Sequence, residues 1–209
     1  MANLLPVNVG MVTDLADKLG LLDGLKRKLK RQPDPAAAKL ATALAEISKI
    51  YEVLDTAILQ YLGLWLDAKN PELSRERATL LDLEGGRIQA EMRAAKGSCT
   101  KISNIYQAYL HPWFDRVLNR DESAQLELVF IQFRDWDTGM IQTIDGVSAW
   151  LVAEAGNARL LVDNGQLELA SSRVHEAANS IRPVRKQLAK SMGTLYGLQG
   201  DFVALSGAV

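Results

Sequence analysis

Residues 40–65 read LATALAEISKIYEVLDTAILQYLGLW, and the spacing of their apolar side chains decides the fold. Leu40, Leu44, Ile47, Tyr51, Leu54, Ile58, Tyr61 and Trp65 follow one another in alternating steps of four and three. A mean spacing of about 3.5 residues keeps one seam on one side of an α-helix and implies left-handed supercoiling against a partner helix. Such a seam needs others to pack on, and the chain supplies them. Ile88, Met92, Ala95, Cys99, Ile102, Tyr106, Tyr109 and Trp113 repeat the same steps. So do Leu167, Ala170, Val174, Ala177, Ile181, Val184, Leu188, Ser191, Leu195, Leu198, Phe202 and Leu205, with Ser191 the polar member. A fourth seam runs Leu126, Phe130, Phe133, Asp137, Met140, Ile144, Val147, Leu151, Glu154, Ala158, Leu161, widened by Val129, Trp136 and Trp150. Aromatic residues at this spacing read as core rather than as a ligand box.

Start and stop signals divide the chain. Asp34-Pro35 and Asn70-Pro71 each put a capping residue before a proline suited to the first helical position. Asn119 followed by Asp121-Glu122 reads as another start, and Asp163-Asn164-Gly165 as a stop. The resulting segments are 11–31, 35–67, 71–118, 121–163 and 165–205. Short links between them force antiparallel neighbours. Gly85-Gly86, Gly97, Pro112 and Pro183 are the expected places for bends or breaks. Strand signals are nearly absent. The expected fold is all-α: an elongated antiparallel helical bundle with coiled-coil-like heptad seams and about five helices. Residues 1–33 form an N-terminal amphipathic helix with a basic end, and 34–209 the long-helix bundle, a single domain overall.

Composition narrows the function. The 209 residues carry 24 basic and 25 acidic side chains, a net charge of −1, which leaves no global basic footprint for nucleic acid. A single cysteine excludes an intramolecular disulfide and any multi-cysteine metal site. The most apolar stretch, AILQYLGLWL from Ala57 to Leu66, is too short to span a bilayer. The first residues lack the basic-then-apolar pattern of a secretory signal. The expectation is a cytoplasmic protein that meets a membrane, if at all, peripherally.

The sequence has no phosphate-binding glycine loop, no H-E-x-x-H and no C-x-x-C. Neither His111 nor His175 has a Glu three residues before it, which removes the ligand pair of di-iron bundles. His111 reads as a partly exposed residue at a helix end, His175 as a solvated one, and Cys99, flanked by Ser98 and Thr100 on its seam, as an inert thiol. No catalytic, cofactor-binding or metal-ligating residue is assigned, no cofactor is implied, and the expectation is a protein that is not an enzyme.

Two features carry the functional reading. Asp137 and Glu154 fall where their seam wants apolar side chains, so each is either a buried polar group that fixes helix register or a sign that the seam drifts toward Trp136 and Ala155. Lys26, Arg27, Lys28, Lys30 and Arg31 form the dense basic run. They end a segment whose apolar side is Met11, Leu15, Leu19, Leu22, Leu25 and Leu29. Bases at a helix C-terminus suit the helix dipole, and they also suit an anionic lipid surface or an acidic partner. The expected function is a non-enzymatic interaction module: adaptor, oligomerisation or regulatory domain. The alternative is a membrane-acting bundle, of the pore-forming or cell-death-effector kind, that uses the basic N-terminal helix. The expected partner is a protein, or an anionic membrane under the alternative, with self-association open and no nucleic acid.

Overall fold

The computed structural model describes residues 18, 21–30, 34–63, 66–67, 69–135 and 139–206. Among the described residues the chain is all-α, 89% helical, with no strand. Its elements are α1 (Leu22–Leu29), α2 (Ala36–Leu62), α3 (Pro71–Ile105), a π-helical turn (Tyr106–Leu110), α4 (His111–Val117), α5 (Arg120–Ile131), α6 (Met140–Asp163) and α7 (Leu167–Leu205).

The signals that begin and end these helices act as their chemistry requires. The Asn70 side chain accepts from Leu73 N–H with Pro71 in the first turn. Asn119 and Glu122 form a reciprocal capping box at the start of α5. Gly165 takes φ 73°, the left-handed conformation in which a side chain is strained, and so lets the chain turn from α6 into α7. Asp34 accepts from Ala36 N–H at 2.8 Å, and its other oxygen accepts from Trp113 Nε1 at 2.9 Å, which ties the start of α2 to α4.

Four helices make the core. α2 packs most extensively on α7, α3 packs on α6, and the pairs close through α2 on α3 and α6 on α7. Cross-helix pairs show the antiparallel order: Glu52 meets Tyr196 while Asp55 meets Arg185, and Arg75 meets Asp163 while Lys96 meets Asp145. Seam residues from all four helices form a single buried cluster, which Leu22, Leu25 and Leu29 of α1 also join. The bundle buries its seams because no helix alone can hide so wide an apolar face from water.

The structure departs from the sequence expectation in three places. The segment expected over 121–163 is two helices, broken between Ile131 and Met140. The break is built on Gly139: a Cβ there would lie 2.2 Å from Gln132 O and 2.5 Å from Asp135 O, so the close approach requires glycine. Tyr109, expected on the third seam, is 50% exposed, while Leu110 and Trp113 are buried. The cause is the π turn, in which His111 N–H bonds to Tyr106 O. Its extra residue rotates the following side chains out of phase, just ahead of Pro112, which has no N–H to give. Pro183 and the glycine positions 85, 86 and 97 do not break their helices: α3 and α7 run through them. Pro183 is exposed, and so is Asn179, whose carbonyl loses its partner to the proline ring.

Candidate interaction surface

Two buried carboxylates bond across helix contacts inside the bundle. Glu154 is 5% exposed. Both its oxygens accept from Arg173 on α7, at 3.0 Å from Nε and 2.8 Å from Nη2, a two-pronged pair that fixes α6 against α7. Ala155 is buried beside it. Tyr61 packs its ring on Trp150 at 5.1 Å between centroids. Burial pushes the Tyr61 hydroxyl pKa up, and the charge of Glu154 adds to the rise. Asp137 and Trp136 lie outside the described residues.

The sequence reading passed over a second buried carboxylate. Glu46 of α2 accepts from Ser98 Oγ of α3 at 2.6 Å and from Lys49 Nζ at 2.8 Å, with Lys101 Nζ at 3.7 Å. Burial by itself raises this carboxyl, but the hydrogen bonds from Lys49 and Ser98 outweigh it and the net shift is downward. A carboxyl whose folded pKa lies below its unfolded one stabilises the protein above the ordinary glutamate range, near about 4, and loses that contribution as pH falls. Glu46→Gln therefore flattens the acid limb. Between about pH 6 and pH 3 the wild type loses more denaturant resistance than the variant, and parallel curves would remove the assignment.

The basic run is partly engaged by the protein itself. Lys26 Nζ lies 2.6 Å from Asp201 of α7 and 3.0 Å from Asp23. Lys28 Nζ donates to Val117 O at 2.9 Å and sits 3.7 Å from Glu122. Arg27 and Lys30 are exposed, and Arg31 lies outside the described residues. Leu22, Leu25 and Leu29 are 0–3% exposed, so the apolar side of α1 is already covered. Met11, Leu15 and Leu19 lie outside the described residues.

His111 Nδ1 is 3.6 Å from Asp115, and its ring meets the Tyr106 ring edge-on at 5.7 Å. His175 is exposed on α7. Cys99 is fully buried, and burial pushes its thiol pKa up to about 12.

The surface feature that stands out is a groove of about 500 Å³ between the end of α2 and the first half of α3. Gln60 and Gly63 line one side, and Arg77, Leu80, Leu81, Glu84 and Arg87 the other. Leu81 is buried, but Leu80 is 54% exposed and the neighbouring Leu83 68%. At 100° per residue, positions 76, 77, 80, 83, 84 and 87 share one outward face of α3. Two leucines thus sit among Glu76, Arg77, Glu84 and Arg87. Apolar side chains rimmed by charge are the usual anatomy of a contact surface. Gln60 Oε1 is buried at this wall with no hydrogen-bond partner among the described residues.

A signal for this face exists in the sequence. The third seam extends back from Ile88 through Gly85, Leu81, Ala78 and Ser74 in the same steps, which leaves Leu80 and Leu83 as surplus leucines off the seam. Comparison with protein-family models, with curated proteins and with solved structures finds no match.

Proposed function

We propose that the protein is a non-enzymatic interaction module that engages a protein partner through the outward face of α3. The observation that carries this reading is the pair of exposed leucines, Leu80 and Leu83, beside the groove that α2 and α3 form. Their exposure costs the free protein and is recovered when a partner covers them, at roughly 25 cal/mol per Å² of apolar area. The same reading takes the bundle as an elongated rod with supercoiled heptad seams, since the 39 residues of α7 make a helix about 58 Å long. A rigid rod presents a side-chain pattern without the ordering cost that a flexible loop incurs.

A photo-crosslinking residue placed at position 83 in the native cell tests it. Discrete adducts of one protein are expected, and they are absent when the same residue replaces Arg93, which is exposed on another face of α3. Equal patterns from both positions, or no adduct from position 83, overturn the reading.

A second reading, membrane action through the basic end of α1, draws on the exposure of Arg27 and Lys30. It requires α1 to leave the bundle, which uncovers Leu22, Leu25 and Leu29 and breaks the pair between Lys26 and Asp201. No described helix is long and apolar enough to cross a membrane.

A further inference from the structure

The middle of α7 carries a charge pattern that the bundle does not use. Residues 177–200 contain no acidic side chain and four basic ones: Arg182, Arg185, Lys186 and Lys190. Arg185 turns toward α2 and pairs with Asp55 at 3.0 Å. The other three are exposed and stand four residues apart, so they share one outward stripe about 12 Å long. Among the described residues, neither Lys186 nor Lys190 has an ion-pair partner. Arg182 Nη1 donates to Asn179 Oδ1 at 3.0 Å, a neutral amide on its own helix.

This stripe runs out of a cavity. A pocket of about 360 Å³ lies where α7 meets the end of α2. Leu62, Leu66 and Ala178 give it an apolar wall, while Ser172, His175 and Arg182 are among its polar lining. Arg182 therefore belongs to both features. No acidic residue lines the pocket among the described residues.

We propose that α7 is a docking surface for an acidic peptide segment of a partner protein. One apolar side chain of that segment fills the pocket beside Arg182, and carboxylates at helical spacing pair with Arg182, Lys186 and Lys190. Charge complementarity selects this occupant: three unpaired cations in line call for several spaced anions, whereas a single small anion would use only one of them. The pocket, of a size to take one large side chain with room to spare, supplies the anchor that surface charge alone lacks. The proposal rests on the interaction-module reading but concerns a different face from Leu80 and Leu83.

The test uses the full chain and a fluorescein-labelled peptide of about 14 residues, with Glu at every fourth position and one Leu, together with its twin in which Gln replaces each Glu. Fluorescence anisotropy should show binding of the Glu peptide that weakens as salt rises, and binding of the Gln twin weaker by about tenfold or more. The variant Arg182→Glu, Lys186→Glu, Lys190→Glu should lose about tenfold or more. A control with the same change of net charge, Lys69→Glu, Arg93→Glu, Arg120→Glu, should keep its affinity, and circular dichroism checks that both variants stay helical. Ala178→Trp, which fills the pocket, should weaken the Glu peptide without altering the salt dependence. No binding by the wild type at low salt, equal losses in the two charge variants, or capture of phosphatidylserine vesicles through the same three residues without peptide binding overturns the proposal. Crosslinking at position 83 reads the α3 face independently, so either surface can fail alone.

Discussion

Phe130→Ala lowers stability by about 3–5 kcal/mol, the range for emptying a large buried aromatic site. Phe130 is 1% exposed, stacks on Tyr106 at 4.9 Å and 7°, and lies 6.1 Å from the ring of Phe114. These rings join α5, the π turn and α4, whose helices are short. The offset of the rings adds about 0.5–1.5 kcal/mol per pair to the simple burial. For a chain of this size the change is a drop of roughly 10 °C in Tm. Tyr109→Ala is the informative comparison. Tyr109 is half exposed, with Lys39 Nζ 4.7 Å above its ring, so its loss costs about 1 kcal/mol or less. Equal Tm losses for the two variants would mean that the π turn is absent and that the heptad phase continues unbroken through position 109.

Leu54→Ala and Ile102→Ala each cost about 2–5 kcal/mol, because each removes a fully packed seam side chain from between helices. Leu54 is 2% exposed and Ile102 0%, whereas Leu59, on the same helix as Leu54, is 48% exposed. Leu59→Ala should stay within about 1 kcal/mol. Urea titration ranks the three by midpoint, and a ranking with Leu59→Ala as the worst overturns the packing register of α2.

Much of the bundle was legible because its seams are long. A step pattern repeated over ten or more residues has few explanations, and Leu40 to Tyr61 and Ala170 to Phe202 are buried as their spacing demands. What stayed illegible was local. The π turn leaves no periodic mark of its own, since Tyr106, Tyr109 and Trp113 keep the steps of three and four while the backbone beneath them slips. The break after Ile131 was hidden in the same way: Phe130, Phe133 and Met140 keep seam spacing across it, and the signal of a close backbone approach is Gly139, off the seam. Glu154 announced itself by interrupting a seam. Its partner Arg173 did not, because a surface arginine beside a seam looks like any other until the facing helix is known. Glu46 gave no sign at all, as it sits beside Ile47 in a position that only the approach of Ser98 from α3 makes interior. The exposed face of α3 was hidden for the opposite reason: Leu80 and Leu83 look like core residues until the seam is traced past them.

Cys99 has a use that follows from where it sits. It is the one thiol in the chain, has no exposed surface, and lies next to the Ser98 that bonds Glu46 across the α2 and α3 contact. A thiol reagent therefore cannot reach it while the core around it stays closed. Its modification rate counts the moments when that core opens, which makes the native chain its own clock for breathing of the bundle. Under conditions where closing is faster than the reagent, that rate reports the free energy of opening rather than its speed. On the proposed reading, a protein that covers the α3 face slows the clock without touching the sulfur.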